Sequence, residues 1–296
     1  MGIFSKKKEK VIDQDLKDDV KYNSLFMIQL LFFSEPKRPD VKEIEKVVRA
    51  KFGDIDVVSK NEHLLSFAVK KYKANFKEGS MPPQILMYDV AQFKQESIDE
   101  VQRTQLWQME NGVELLEKCT HSLIISDMMA STMDYKERGN MLMDWLEAAL
   151  ELLPTSAAVW IPSAGKLFTA EMVKNHEIPY ELRFLYFCVN ARYFRIANTE
   201  DILVDTLGMY SLGLPDIQFH FHGLEAIDVV NHAYDVAAYV YKYDAPIKNG
   251  ETIDGLKDGI MSKDVQWKCQ YENSLIKPIR EVIDICPGEY ASGNRN

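Results

Sequence analysis

Residues Leu203–Tyr243 read LVDTLGMYSLGLPDIQFHFHGLEAIDVVNHAYDVAAYVYKY. No other segment of the chain is as dense in residues that mark turns and the ends of helices and strands. Two stretches of it, Leu203–Tyr210 and Ile217–His222, are apolar or alternate between apolar and polar residues, and this pattern predicts strands. Glu225–Tyr243 has apolar residues at helical spacing, and Asp228 lies in its first turn, where the helix dipole favours negative charge. This stretch therefore predicts two strands covered by one long helix, which is typical of an α+β protein.

The N-terminal part of the chain predicts a similar architecture. Ser24–Phe33 is a nearly continuous apolar run with the length of a strand that is buried on both faces. Asp40 is in position to cap a helix that ends at Gly53. Asp54–Lys60 and His63–Tyr72 read as the next two strands. Strand, helix and strands in this order indicate a sheet with helices on one face.

The chain beyond residue 118 follows the same outline. Cys119–Asp127 is apolar enough to be a second buried strand, and Tyr135–Leu153 has helical spacing and ends before a proline. Leu182–Ala197 is rich in Phe, Tyr, Val and Ile, so we expect a strand that pairs with Leu203–Tyr210. A buried strand followed by a helix occurs twice, beginning at Ser24 and at Cys119, and this order would fit an internal duplication. The residues themselves do not repeat clearly, so the duplication stays an open alternative.

These elements predict an α+β fold with mixed or antiparallel sheets, helices packed on one face and two associated α+β halves. A ferredoxin-like arrangement is one form that this fold could take. The predicted divisions are a flexible charged tail at residues 1–22, an N-terminal half at 23–91, a helical connector at 92–118 and a C-terminal half at 119–296.

The composition excludes some classes of partner. Of the 296 residues, 46% are hydrophobic and 27% are charged, which is an ordinary composition for a globular protein. The net charge is −10, which argues against a nucleic-acid partner because phosphate binding needs a basic surface. No apolar run reaches the roughly 18 residues that span a bilayer, and the N-terminus lacks the apolar core of a signal peptide. The four cysteines form no CxxC pair, which favours free thiols in a reducing compartment. We therefore expect a cytoplasmic protein without a nucleic-acid or membrane partner.

Short motifs follow one another in an order that resembles a known family. Thr206-Leu207-Gly208-Met209 precedes Gly213-Leu214-Pro215-Asp216-Ile217, and the long helix precedes the turn Asn249-Gly250-Glu251-Thr252. In this order the motifs resemble the bacterial domain-of-unknown-function family 4261, which carries a T-x-G strand, a G-L-x-D/E strand, a long helix and a G-D/E-T turn. The resemblance is firmest over residues 190–290. It implies no activity and no catalytic residue, because the family is defined without a known function.

His220 and His222 are the residues that most invite a metal-site hypothesis. They are two apart on a predicted strand, so they project from the same face, and His-x-His is a spacing that metal ligands use. His232 on the following helix or Asp216 in the preceding turn could be brought near as a third ligand. The alternative, which we prefer, is that the two histidines form the polar face of a strand whose apolar residues point into the core.

Other catalytic motifs are missing from the sequence. The glycines have neither the G-x-G-x-x-G nor the Walker spacing that cradles phosphates. Ser163-Ala164-Gly165 lacks the first glycine of a nucleophile elbow. The catalytic residues therefore stay unknown, and no cofactor is expected.

Two functions from different classes stay open. The first is a non-enzymatic binding or interaction module with a protein partner or a second copy of the chain, for which aromatic and methionine residues would supply an interface. The second is an uncharacterised metal-dependent, hydrolase-like enzyme that uses His220 and His222. The lack of a catalytic motif favours the first.

Overall fold

The computed structural model describes residues 25–61 and 63–293, and the tail predicted at residues 1–22 lies outside the described residues. The described chain forms seven α-helices and three sheets, in which nearly all neighbouring strands are antiparallel. The α+β fold class is therefore confirmed.

A seven-stranded sheet is formed by the first part of the described chain. Its strands are β1 (Met27–Phe32), β2 (Ile55–Lys60), β3 (Leu64–Val69), β6 (Gln84–Gln92), β7 (His121–Met128), β8 (Ala158–Ile161) and β9 (Lys166–Thr169). Across the sheet they lie in the order β2-β3-β6-β7-β1-β8-β9, with every neighbouring pair antiparallel. Between β3 and β6 the chain makes a separate hairpin of β4 (Ala74–Phe76) and β5 (Gly79–Met81).

Two helices cover one face of this sheet. α1 (Val41–Phe52) begins after Asp40, whose carboxylate accepts hydrogen bonds from two N–H groups of the first turn, so the predicted N-cap is confirmed. α4 (Tyr135–Leu152) is capped in the same way by Asp134. Trp145 of α4 is fully buried and donates its indole N–H to a carbonyl of β6. The two helices therefore seal the main core of the sheet.

Four strands at the centre of the sheet have a ferredoxin-like order. In chain order they are β1, β6, β7 and β8, and across the sheet they lie as β8-β1-β7-β6. α1 follows the first of them, and α4 connects the third to the fourth. Because β1 lies between β7 and β8, these strands and α4 form a split βαβ unit. β2 and β3 extend one edge of this unit, and β9 extends the other.

Residues 92–118 cover part of the opposite face of the sheet. They contain α2 (Glu100–Thr104) and α3 (Gly112–Lys118), and their apolar residues join Leu31, Trp160 and Leu167 in a second, smaller core. Helical residues therefore lie on both faces, not on one. The sheet also does not divide at residues 92–118, because the central strand β1 takes β7 and β8, which both follow this segment, as its two neighbours.

A six-stranded sheet is formed by the last part of the described chain. Its strands are β10 (Asn190–Arg195), β11 (Ile202–Leu207), β12 (Asp216–Phe221), β13 (Thr252–Lys257), β14 (Ile260–Asn273) and β15 (Glu281–Cys286). The order is β10-β11-β12-β15-β14-β13, and β12 and β15 are its parallel pair. α7 (Ala226–Lys242) packs over β10, β11 and β12.

The connection between the two sheets corrects one prediction. α5 (Ala170–Lys174) and α6 (Arg183–Cys188) lie between β9 and β10, so the first part of the strand predicted at Leu182–Ala197 is helical. Phe184 of α6 lies 5.4 Å from the ring of Phe26 in the N-terminal core and 6.5 Å from that of Tyr241 on α7. Packing of Phe184 between the first sheet and α7 therefore overrides the strand propensity of the aromatic residues.

The longest described helix, α4, has 18 residues and carries charged side chains along its length. Within residues 25–61 and 63–293, no helix has the length and apolar character needed to cross a membrane.

Candidate functional site

The predicted histidine pair ties one end of β12 to neighbouring loops. His220 Nε2 lies 3.4 Å from Asp201 Oδ2, and His222 Nδ1 lies 3.1 Å from Ser292 Oγ. Ser292 also donates a hydrogen bond to Asp201 Oδ1 at 2.9 Å. The histidines thus contact the loops that precede β11 and follow β15.

His232 is separated from this pair by the sheet. It is buried on α7, with its ring centroid 5.7 Å from that of Phe219 and 5.4 Å from that of Trp267. Phe219 and His220 are neighbours on one strand and point to opposite faces, so His232 and His220 cannot share a ligand. Asp216 is also buried, where it forms an ion pair with Arg280. Across the described ranges, no group of three His, Cys, Asp or Glu side chains could hold a metal ion.

The carboxylate of Asp216 explains why the motifs around residues 206–209 and 213–217 occur together. It accepts a hydrogen bond from the hydroxyl of Thr206 at 3.0 Å and from the backbone N–H of Met209 at 3.2 Å. Arg280 donates to the same carboxylate through Nε at 2.9 Å. The family-like motifs therefore fix a tight turn between β11 and β12.

Arg280 links Asp216 to a second buried aspartate. Its Nη2 lies 2.8 Å from Asp205 Oδ2, and Arg192 of β10 forms an ion pair with the same oxygen at 2.5 Å. Burial raises the pKa of Asp205, but the guanidinium groups of Arg192 and Arg280 outweigh this effect and lower the pKa below its ordinary value. Two arginines and two aspartates thus balance each other in the interior, and their role is architectural.

Gly208 brings this turn against the C-terminal end of α6. Its φ is +145°, a conformation that glycine adopts without steric cost. A Cβ at this position would overlap the carbonyl oxygen of Cys188 and lie 2.9 Å from the Cα of Val189. The close approach therefore requires glycine.

A buried lysine donates hydrogen bonds to carbonyl groups at this same end of α6. Lys166 is the first residue of β9 and is 7% exposed. Its Nζ lies 2.6 Å from the carbonyl oxygen of Tyr186 and 2.6 Å from that of Val189. In the part of the chain that the structure describes, no carboxylate forms an ion pair with this amine. Lys166 is therefore a buried amine without a counter-charge.

A cavity of about 390 Å³ lies beside Lys166, and we call it the Lys166 cavity. Its walls come from β9, α6, α7 and the 92–118 segment. They are mostly apolar and include Leu106, Met109, Phe168, Ile178, Leu182 and Leu185. Met172 and Tyr186 also line the cavity and are 40% and 47% exposed. This volume falls within the range of small-molecule binding sites.

The amide groups on the cavity wall are paired with other groups. Gln105 accepts a hydrogen bond from the N–H of Tyr193 and donates to the carbonyl of the same residue, so it extends the pairing of β10. Gln108 donates to the carbonyl of Ala191 and to the hydroxyl of Tyr234. An ammonium has three N–H donors, and Lys166 uses two of them on α6. Its third donor is therefore the one available to a ligand.

Burial lowers the pKa of Lys166 to about 7. An amine with this pKa exchanges its proton near neutral pH, so it can present either a positive charge or a free base to the cavity. A strongly shifted group in a cleft is a physical indication of a functional site. The Lys166 cavity is therefore the candidate functional site.

Lys166 is not among the site residues that the sequence predicts. Lys166 lies in the run Ala164-Gly165-Lys166-Leu167-Phe168, and a lone lysine among apolar residues was the available signal. A lysine at the start of a short strand is ordinarily exposed. The two carbonyls that accept its hydrogen bonds lie at the C-terminal end of α6, within the segment Leu182–Ala197 that the sequence predicts to be a strand.

Comparisons with curated proteins and with solved structures gave no significant match. A comparison with family models did, over the segment that holds Asp216, Gly208 and Arg280. Residues 205–286 match the family model described as Domain of unknown function (DUF4261), so the predicted resemblance is confirmed over this segment.

Proposed function

We propose that the protein is a non-enzymatic binding module that takes a small, mostly apolar molecule into the Lys166 cavity. The observation that carries this proposal is a buried amine without a counter-charge in the wall of an apolar cavity of about 390 Å³. Binding sites for small molecules have this composition, with apolar walls and a few polar groups that fix orientation.

A purely structural role for Lys166 explains less of the arrangement. Its two hydrogen bonds hold the end of α6 to β9. A neutral donor would make such bonds without the cost of burying a charge, which amounts to several kcal/mol. Groups that are costly to the fold are often retained for function.

The rim of the cavity also supports binding. Met172 and Tyr186 leave apolar surface in contact with solvent at a concave site. Burying this surface against an apolar ligand would release about 25 cal/mol for each Å² removed from water. The ligand would therefore gain affinity from the walls, and Lys166 would orient it.

The test uses the neutral fluorescent probe N-phenyl-1-naphthylamine. We expect the wild-type protein to bind it and enhance its fluorescence. Ala238→Trp, which places a large ring on the cavity wall formed by α7, should weaken binding at least about tenfold, or by about 1.4 kcal/mol. Ile227→Trp is the matched control, because Ile227 is on the same helix and 54% exposed outside the cavity.

Circular dichroism would first establish that both variants are folded. Equal binding to wild-type protein and to both variants would mean that the probe lies elsewhere. No binding to the wild-type protein would count against the proposal directly.

A further inference from the structure

The groups around the amine of Lys166 all favour a positive charge. Two carbonyl oxygens lie 2.6 Å from Nζ. Three aromatic rings surround the same atom, with centroids at 5.2 Å for Phe168, 5.5 Å for Tyr186 and 5.5 Å for Tyr234. The negative face of an aromatic ring attracts a cation, as a carbonyl oxygen does. The cavity wall is therefore built to hold an ammonium.

The negative charge that would balance this ammonium is missing from its contacts. The amine makes no ion pair with a described carboxylate, and burial opposes its charged form. The other titratable groups that contact the amine or line the cavity are Cys188, Tyr186, Tyr234 and Asp235. Burial raises the pKa of the Cys188 thiol, so this group stays neutral in the physiological range. An anion supplied by the ligand would complete the site.

We propose that the ligand of the Lys166 cavity is a small monocarboxylate, whose carboxylate pairs with the Lys166 ammonium while its apolar part lies along the cavity walls. The inference rests on the proposed binding function and names the ligand class. It requires that the third N–H of Lys166 donates to a carboxylate oxygen, since the other two are bound to α6. A hydrogen bond between two ionised groups is the strongest kind available here.

A single negative charge fits this site better than a phosphate. Phosphate groups are bound by several donors together, such as arginine forks or the N–H groups of a helix N-terminus. Lys166 is the one lysine or arginine among the described residues that line the cavity. Asp235 on the cavity wall and the net charge of −10 both repel polyanions. A monocarboxylate with an aliphatic or monocyclic body matches one ammonium and apolar walls.

Binding of a carboxylate should be linked to proton uptake. The pKa of Lys166 is about 7 in the free protein, so at about pH 8 most of the amine is neutral. A carboxylate beside it favours the charged form and raises its pKa. The complex therefore takes up close to one proton at this pH, whereas a neutral ligand takes up none.

The experiment is calorimetry with octanoate and with 1-octanol, which share an apolar chain and differ in charge. Titrations at about pH 8 in two buffers of different ionisation enthalpy give the number of protons taken up. We expect octanoate to bind at least about tenfold more tightly than 1-octanol and to take up a proton. Lys166→Met should remove both the preference for octanoate over 1-octanol and the proton uptake.

The experiments distinguish a failure of the carboxylate inference from a failure of the proposed binding function. If octanoate and 1-octanol bind alike, without proton uptake, the carboxylate inference is wrong while the proposed binding function stands. If neither ligand binds but the naphthylamine probe does, the carboxylate inference is wrong and the proposed binding function stands. If the probe does not bind either, the proposed function fails as well. The proton count is measured on the wild-type protein, so it decides the matter even if Lys166→Met does not fold.

Discussion

Gly208 and Cys188 meet where the segment 205–286 touches the candidate site. The carbonyl of Cys188 occupies the space that a side chain at residue 208 would need. The next residue, Val189, offers its carbonyl to Lys166 at 2.6 Å. A glycine of the family-like motif therefore supports one of the two acceptors that hold the buried amine.

Gly208→Ala should destabilise the protein strongly. The Cβ would overlap backbone atoms, which cannot rotate away, and the residue would keep an unfavourable φ of +145°. We expect a loss of about 3 kcal/mol or more in the free energy of unfolding, measured by urea denaturation. Gly213→Ala is the matched control, because Gly213 has φ +77° but no atom within 4 Å of its Cβ position. It should cost about 1 kcal/mol. Equal losses in the two variants would contradict this account.

Lys166→Met should change how stability depends on pH. The folded pKa of Lys166 is about 7 and its ordinary value is 10.5. As the pH falls from 10.5 to 7, the unfolded chain binds a proton that the folded protein does not, so the wild type loses stability. The free energy of unfolding of wild type, relative to the variant, should therefore rise by about 3 kcal/mol from about pH 7 to about pH 9.5.

Lys166→Met also removes two hydrogen bonds, but their loss lowers the free energy of unfolding by the same amount at every pH. The slope of this free energy against pH therefore reports only the protonation of the Lys166 amine. Lys248→Met, at an exposed position, is the control and should show the wild-type slope. A pH-independent difference between wild type and Lys166→Met would mean that the lysine is not shifted.

Arg280→Met should be among the most damaging substitutions in the segment 205–286. Arg280 is fully buried, and its removal leaves Asp216 without a cation and weakens the pairing of Asp205. Breaking a buried ion pair on one side costs about 3–5 kcal/mol. Lys257→Met breaks the exposed pair with Asp264 and should cost less than about 1 kcal/mol. Chemical denaturation compares the two variants, and similar losses would argue against an architectural network.

His232→Phe should make the protein less sensitive to acid. Burial between Phe219 and Trp267 lowers the pKa of His232, so below its ordinary value of 6.5 the unfolded chain takes up a proton first. The wild type therefore loses stability as the pH falls from about 7.5 to about 5.5. Thermal unfolding at the two pH values measures this loss. It should disappear in His232→Phe and persist in His63→Gln, whose side chain is 86% exposed in wild type. A loss that survives in His232→Phe must come from another group.

The parts of the fold that could be predicted are those with local signals. Asp40 has the residue type and position of an N-cap, and the helix that follows it needs no information from elsewhere in the chain. The helix predicted at Glu225–Tyr243 is also a local feature, although Ile227, one of its apolar residues, is 54% exposed. The alternation in β12 correctly separates Phe219 from His220.

The parts that could not be predicted depend on distant contacts. α6 is rich in aromatic residues that favour strands, and it packs as a helix through contacts with distant parts of the chain, such as those of Phe184 with Phe26 and Tyr241. The Lys166 cavity needs that helix, because both acceptors of the amine are at its C-terminal end. Because the sequence predicts a strand where α6 is found, it does not predict the candidate site.

The contact between Gly208 and Cys188 has a consequence for proteins that share the segment 205–286 but differ at the position of Lys166. Gly208 lies inside the segment 205–286, whereas Lys166 and its two acceptors precede it in the chain. A protein that inherited this segment with another residue in place of the lysine would keep the supporting turn and lose the charge. The charge of the lysine and the turn that supports one of its acceptors are thus encoded in different stretches of sequence, and the charge can change while the turn is kept.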